Sequence, residues 1–125
     1  MKKVIIIFIC VFFIKSGFTQ ATDTSKSILD SVSLKVIYYL QNKQPDSIYS
    51  ITGQNFRDHI TKEDFKNISE NQIFPVNNFQ NVIYVKTLNG INKYKVAGSP
   101  ELQLLISLDK ENKIETFLIQ PYSEN

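Results

Sequence analysis

The chain contains one histidine, the first place to look for acid–base chemistry. His59 stands in Phe56-Arg57-Asp58-His59-Ile60. A carboxylate beside an imidazole suggests a general base with an orienting partner. The spacing argues against that role, because adjacent positions on a helix do not face each other. His59 therefore reads as a surface or helix-end residue. The one cysteine, Cys10, sits inside an apolar run and reads as one more apolar residue. A single His with no carboxylate at ligand spacing does not make a metal site, and no cofactor is expected. The four glycines, at 17, 53, 90 and 98, are too scattered to build a phosphate-cradling loop. Asn67-Ile68-Ser69 matches the glycosylation sequon, which has meaning only on a eukaryotic secretory route.

Aromatic residues are the richer class, with six Tyr and nine Phe. They suit either a concave apolar pocket with Tyr hydroxyls fixing a ligand or ordinary packing of helices on a sheet. Lys93 and Lys95 flank Tyr94 on a strand, so the two lysines share one face and Tyr94 takes the other. That pair reads as a solvated sheet face rather than a phosphate site.

These side chains must be positioned by whatever follows the N-terminal segment. Met1 to Lys3 is basic, Val4 to Ile14 is eleven apolar residues, and Gly17, Thr19 and Ala21 are small. Those are the parts of a secretory signal peptide, expected over residues 1–21. The run falls short of the roughly 20 residues a membrane span needs. Residues 22–125 are then expected to form a single domain, exported to the periplasm or the medium. The net charge of +2 comes from fourteen Lys/Arg against twelve Asp/Glu. Lys2, Lys3 and Lys15 belong to the signal, so eleven bases face twelve acids in the domain, a net charge of −1. Nucleic acid is not expected as a partner of so neutral a chain, nor is stable membrane insertion after cleavage.

Ile28, Leu29, Val32, Val36, Tyr39 and Leu40 recur at helical spacing, which predicts a first helix over about 24–42. Pro45 disfavours helical geometry before it, and Asp46 or Ser47 can cap a second helix carrying Ile48, Ile51 and Phe56. Gly53 weakens that helix. Thr61, with Glu63 and Asp64 behind it, opens a third, short helix bearing Phe65 and Ile68 and stopping near Asn71. Strands are expected over 79–88, 91–97, 101–108 and 113–120. Asn89-Gly90 between the first two is a strong hairpin signal. The expected fold class is α+β: three N-terminal helices packed on a curved four-stranded antiparallel sheet.

Three stretches carry a family resemblance. They are Asp46-Ser47-Ile48-Tyr49, the run from Phe56 to Phe65, and the strand–turn–strand ending from Leu104 through Asp109, Lys113-Ile114 and Pro121-Tyr122. In this order the chain resembles the small secreted bacterial domains of the nuclear-transport-factor-2-like (ketosteroid-isomerase-like) superfamily. In particular it resembles the domain of unknown function that precedes serine hydrolase (β-lactamase-like) domains. The resemblance implies a cone, with helices on a curved sheet around a cavity. It departs from that pattern at Ile73-Phe74-Pro75-Val76, where such domains often place a glycine. The likeness is to the domain that precedes the hydrolase and not to the hydrolase domain itself, so hydrolase chemistry does not carry over. No motif marks a carboxylate base facing a Tyr/Asp pair, so isomerase chemistry does not either.

The resulting expectation is a non-enzymatic, exported binding or accessory domain that contacts a small apolar ligand or a protein partner. Tyr39, Tyr49, Phe56 and Tyr84 are the expected pocket lining, since they come from the elements that would enclose a cone. Two rival readings are a small cone-fold enzyme of isomerase, dehydratase or hydrolase type and a module that forms a homodimer. The enzyme reading requires a buried Asp or Glu with a raised pKa beside a Tyr.

Overall fold

The computed structural model describes residues 23–124, and the expected signal peptide lies outside them. The described chain is α+β. Its helices are α1 (Asp23–Gln41), α2 (Pro45–Ser50), α3 (Gln54–His59) and α4 (Lys62–Ile68), followed by a π-turn (Ser69–Ile73). The strands are β1 (Val82–Leu88), β2 (Ile91–Val96), β3 (Leu102–Leu108) and β4 (Ile114–Pro121). They form an antiparallel meander in the order β1-β2-β3-β4.

Four helices stand where three were expected, because the second predicted helix breaks at Thr52-Gly53. There the backbone turns away to meet β4. The Gly53 amide donates to the Ile114 carbonyl at 2.9 Å, and the Ile114 amide donates to the Ile51 carbonyl at 2.9 Å. A Cβ on residue 53 would stand 2.1 Å from Asp109 Oδ2 and 3.1 Å from the Lys113 Cβ, so a larger residue there would have to push the Asp109 side chain aside. Pro45 opens α2 at a first-turn position, where its missing N–H costs nothing. Thr61 caps α4 as expected, its hydroxyl accepting from the Asp64 amide at 3.1 Å.

β1 begins at Val82, not at 79. Phe79 has a positive φ of 57° and its amide donates to the Asn77 side chain at 2.6 Å. The Asn77-Asn78 turn thus reverses the chain and drives the Phe79 ring into the core before pairing starts. The β1–β2 hairpin turns on Asn89 (φ 55°) and Gly90 (φ 79°), the two positive dihedrals a type I′ turn needs. Register shifts between Tyr84 and Lys86 and between Ser107 and Leu108 mark bulges, which bend a strand and increase its twist.

Alternation along the ladders sorts the two faces. Asn92, Tyr94 and Val96 pair with Ile106, Leu104 and Leu102, and Leu104 and Ile106 pair onward with Ile119 and Phe117. This inner face lies under the helices, where Leu29, Val36, Ile37 and Leu40 of α1 join the same buried cluster. Lys93, Lys95, Gln103, Leu105, Leu118 and Gln120 occupy the outer face. That face is not simply solvated, since Lys93 retains only 6% exposure. Tyr122 and Ser123 fold back across it.

Candidate functional site

The four residues expected to line a pocket do not converge. Tyr49 and Phe56 meet, but inside an aromatic cluster. Their ring centroids are 6.2 Å apart, Phe65 lies 5.9 Å from Tyr49 and 5.8 Å from Phe56, and Phe117 of β4 lies 5.6 Å from Phe65. The contacts are mostly edge-to-face, the arrangement that aromatic quadrupoles favour. The Tyr49 hydroxyl donates to the Ile60 carbonyl at 2.8 Å, which satisfies its polar end within the fold. Tyr39 sits half-buried on α1 with the Tyr38 ring 5.9 Å away. Tyr84 is partly exposed on β1, in a different environment.

That environment is a closed ring of polar contacts joining α1 to β1 and β2. Lys26 and Asp30 are one helical turn apart and pair at 2.9 Å. Asn92 of β2 donates to Asp30 Oδ1 at 2.9 Å and reaches the Ser33 and Tyr94 hydroxyls at 3.3 Å. Thr87 donates to the Asn92 side-chain oxygen. Since that bond uses the Thr87 hydrogen, the Tyr84 hydroxyl 2.7 Å away is the donor to Thr87. The Lys26 ammonium lies 5.0 Å from the centre of the Tyr84 ring and completes the circuit. Tyr84 and Tyr94 stack edge-to-face at 5.7 Å.

The electrostatics follow from the hydrogen bonds. The Asn92 amide and then Lys26 hold the Asp30 carboxyl below its usual range. Asp30 in turn raises Lys26. Burial pushes the Tyr94 hydroxyl up. Asp30 is thus a carboxylate beside a tyrosine, but its shift is downward, opposite to the raised carboxylate the enzyme reading required. Its lone pairs are engaged from both sides, so it is a poor proton acceptor and a good clamp.

Sequence reasoning missed Ser33, Asn92 and Asp30. One signal was available: Ser33 interrupts the apolar stripe of α1, and Asn92 takes the inward register of β2 beside Tyr94. Two polar residues on facing inner surfaces imply a mutual partner.

His59 is the exposed last residue of α3, with Nδ1 2.8 Å from the Asn55 carbonyl, and Asp58 accepts from Gln54 instead. Among the described residues no group of three or more His, Cys, Asp or Glu is arranged to hold a metal ion. Two open depressions border α4 and the π-turn. One of about 370 Å³ is lined by Lys43, Glu70, Phe74 and Pro75. The other, of about 470 Å³, is lined by Asp46, Lys62, Glu63, Lys66, Asn67 and Glu70. None of the four expected lining residues borders either.

The exposed large apolar side chains form the remaining surface feature. Ile83, Tyr84, Val85 and Leu88 lie on β1, and Leu34 and Tyr38 lie on α1. β1 is an edge of the sheet, paired on one side only. Lys26 and Asp30 are one turn apart on α1. They touch β1 and β2. No helix of the described residues is long and apolar enough to cross a membrane. No family model, curated protein or solved structure matches this chain.

Proposed function

We propose that this chain is an exported, non-enzymatic binding domain that docks a protein partner along β1. The cone-like architecture of the nuclear-transport-factor-2-like superfamily is part of the same proposal. So is the signal peptide, on the basic start and short apolar run described above. One observation carries the docking reading: four of the six exposed large apolar residues of the described chain lie on one open edge strand. An open edge presents unpaired backbone N–H and C=O groups, whose natural complement is another strand. Ile83 and Leu88, 60% and 58% exposed, lie on the outer face of that edge, while Tyr84 lies on the inner one. An extended apolar segment would meet backbone donors and side-chain contacts together. The partner reading is favoured over a small apolar ligand because Tyr49 and Phe56 are spent on core packing.

The test places a photo-crosslinking amino acid at Ile83 or Leu88, with Lys110 in the β3–β4 turn as control, in the chain expressed in its native host. The proposal expects a discrete adduct from 83 and 88 that is absent from 110. An adduct of twice the chain mass identifies a second copy as the occupant and supports the homodimer reading. Equal labelling at all three positions overturns docking along β1.

A further inference from the structure

The outer face of the sheet holds a cation in an unusual setting. Lys93 is almost fully buried, yet its contacts among the described residues are uncharged. It donates to the Ser123 carbonyl and lies 4.9 Å from the centre of the Tyr122 ring. Lys95 lies 5.0 Å from the same ring, with Glu101 3.4 Å away. Lys86 pairs directly with Lys93 across the β1–β2 ladder and so shares this face. Two ammonium groups, those of Lys93 and Lys95, thus share the Tyr122 ring on one face, and a buried charge ordinarily requires an opposite charge. A carbonyl and a ring supply only partial compensation, and an ammonium has three hydrogens to donate.

The cover over Lys93 is a short strap outside the sheet. The Tyr122 amide donates to the Glu101 carbonyl at 3.0 Å, and the Ser123 amide donates to Gln103 Oε1 at 2.9 Å. Gln103 is itself buried, and its amide group donates to Gln120 Oε1 at 2.9 Å. If the strap lifted, the Lys93 ammonium would be uncovered beside Lys95, and Gln103 Oε1 would lose the Ser123 amide. Two neighbouring ammonium groups have the donor set of an oxyanion site.

We propose that Lys93 and Lys95 form an oxyanion-binding site on the outer sheet face, which takes a carboxylate or phosphate group, and that residues 122–124 are its displaceable cover. In this arrangement the Ser123 carbonyl holds the place of the anion's oxygen. The site lies on the opposite face from α1 and does not depend on docking along β1, so either can fail without the other.

The test is titration of the full chain with inorganic phosphate and, separately, acetate, followed through the amide and lysine side-chain resonances. Saturable shifts should centre on residues 93, 95, 103 and 122–124, and the better of the two ions identifies the group preferred. Tyr122→Ala weakens the cover and should tighten binding. Lys93→Met should weaken it at least about tenfold, the loss of one charge-assisted hydrogen bond. Lys95→Met, at a half-buried position, gives the same test should Lys93→Met not fold. Shifts absent in both titrations, affinity unchanged in Lys95→Met, or Tyr122→Ala binding no tighter than the parent would each overturn the proposal.

Discussion

The two ends of the sheet are closed by opposite means. At the β4 end, α2, α3 and α4 press Tyr49, Phe56 and Phe65 onto Phe117. At the β1 end, α1 is held by the Lys26–Asp30–Asn92–Thr87–Tyr84 ring. The first closure is non-directional and its strength scales with buried area. The second contributes less net energy per contact but tolerates only one register, because its hydrogen bonds are directional and join fixed positions on α1, β1 and β2. The difference explains the surface. Where aromatics close the sheet, little apolar area remains outside. Where polar groups close it, the apolar side chains of β1 and α1 remain free to meet something else.

The largest effect should therefore come from the aromatic end. Phe65→Ala removes the ring that touches Tyr49, Phe56 and Phe117, and should cost about 3–5 kcal/mol. Urea unfolding of the domain measures it. A loss below about 1 kcal/mol would mean the cluster is loosely packed and has space for a ligand after all, reviving the pocket reading.

The next effect tests the polar end. Asn92→Ala leaves Thr87, Ser33 and Tyr94 without their shared partner and should cost about 1–3 kcal/mol. The two ends share no side chain, so the double variant with Phe65→Ala should be additive within about 0.5 kcal/mol. Clear non-additivity would show that the closures are one cooperative unit, and the contrast between them would fall.

How each region was legible in the sequence follows from the same contrast. The strands were readable because period-two alternation and Asn89-Gly90 are local signals. The stripe of α1 and the Thr61 cap were local as well. Two features were not. Gly53 reads as a weak point inside one helix, and its true role depends on Asp109 and Ile114, more than fifty residues on. The Asp30–Asn92 bond spans 62 positions, and no spacing within either segment encodes it. Lys93 and Lys95 were placed on the correct face, but a strap from residues 122–124 decides that Lys93 is covered. The aromatic content pointed to Tyr39, Tyr49, Phe56 and Tyr84 together, of which Tyr49 and Phe56 meet in the core. It could not separate a cavity wall from a packed core, since both use the same side chains.

The smallest effect is the most discriminating for the polar ring. Asp30 is held below its ordinary value of 3.8, first by Asn92 and second by Lys26. A depressed carboxyl stabilises the fold above the unfolded value, and that contribution is lost as pH falls through the folded one. The stability curve of the parent should thus fall more steeply below about pH 4 than that of Asp30→Asn. The side chain is 43% exposed, so solvent screening keeps the difference small, and the titration itself is the better readout. Followed by carboxyl-carbon NMR, Asp30 should move up toward 3.8 in Asn92→Ala and move less in Lys26→Met. The reverse order would make the ring a surface ion pair with an incidental amide, and β1 would then be held to α1 mainly by its apolar contacts. If the expected order holds, Asn92 is the residue that commits β2, and through Thr87 the exposed edge of β1, to a fixed position beside α1.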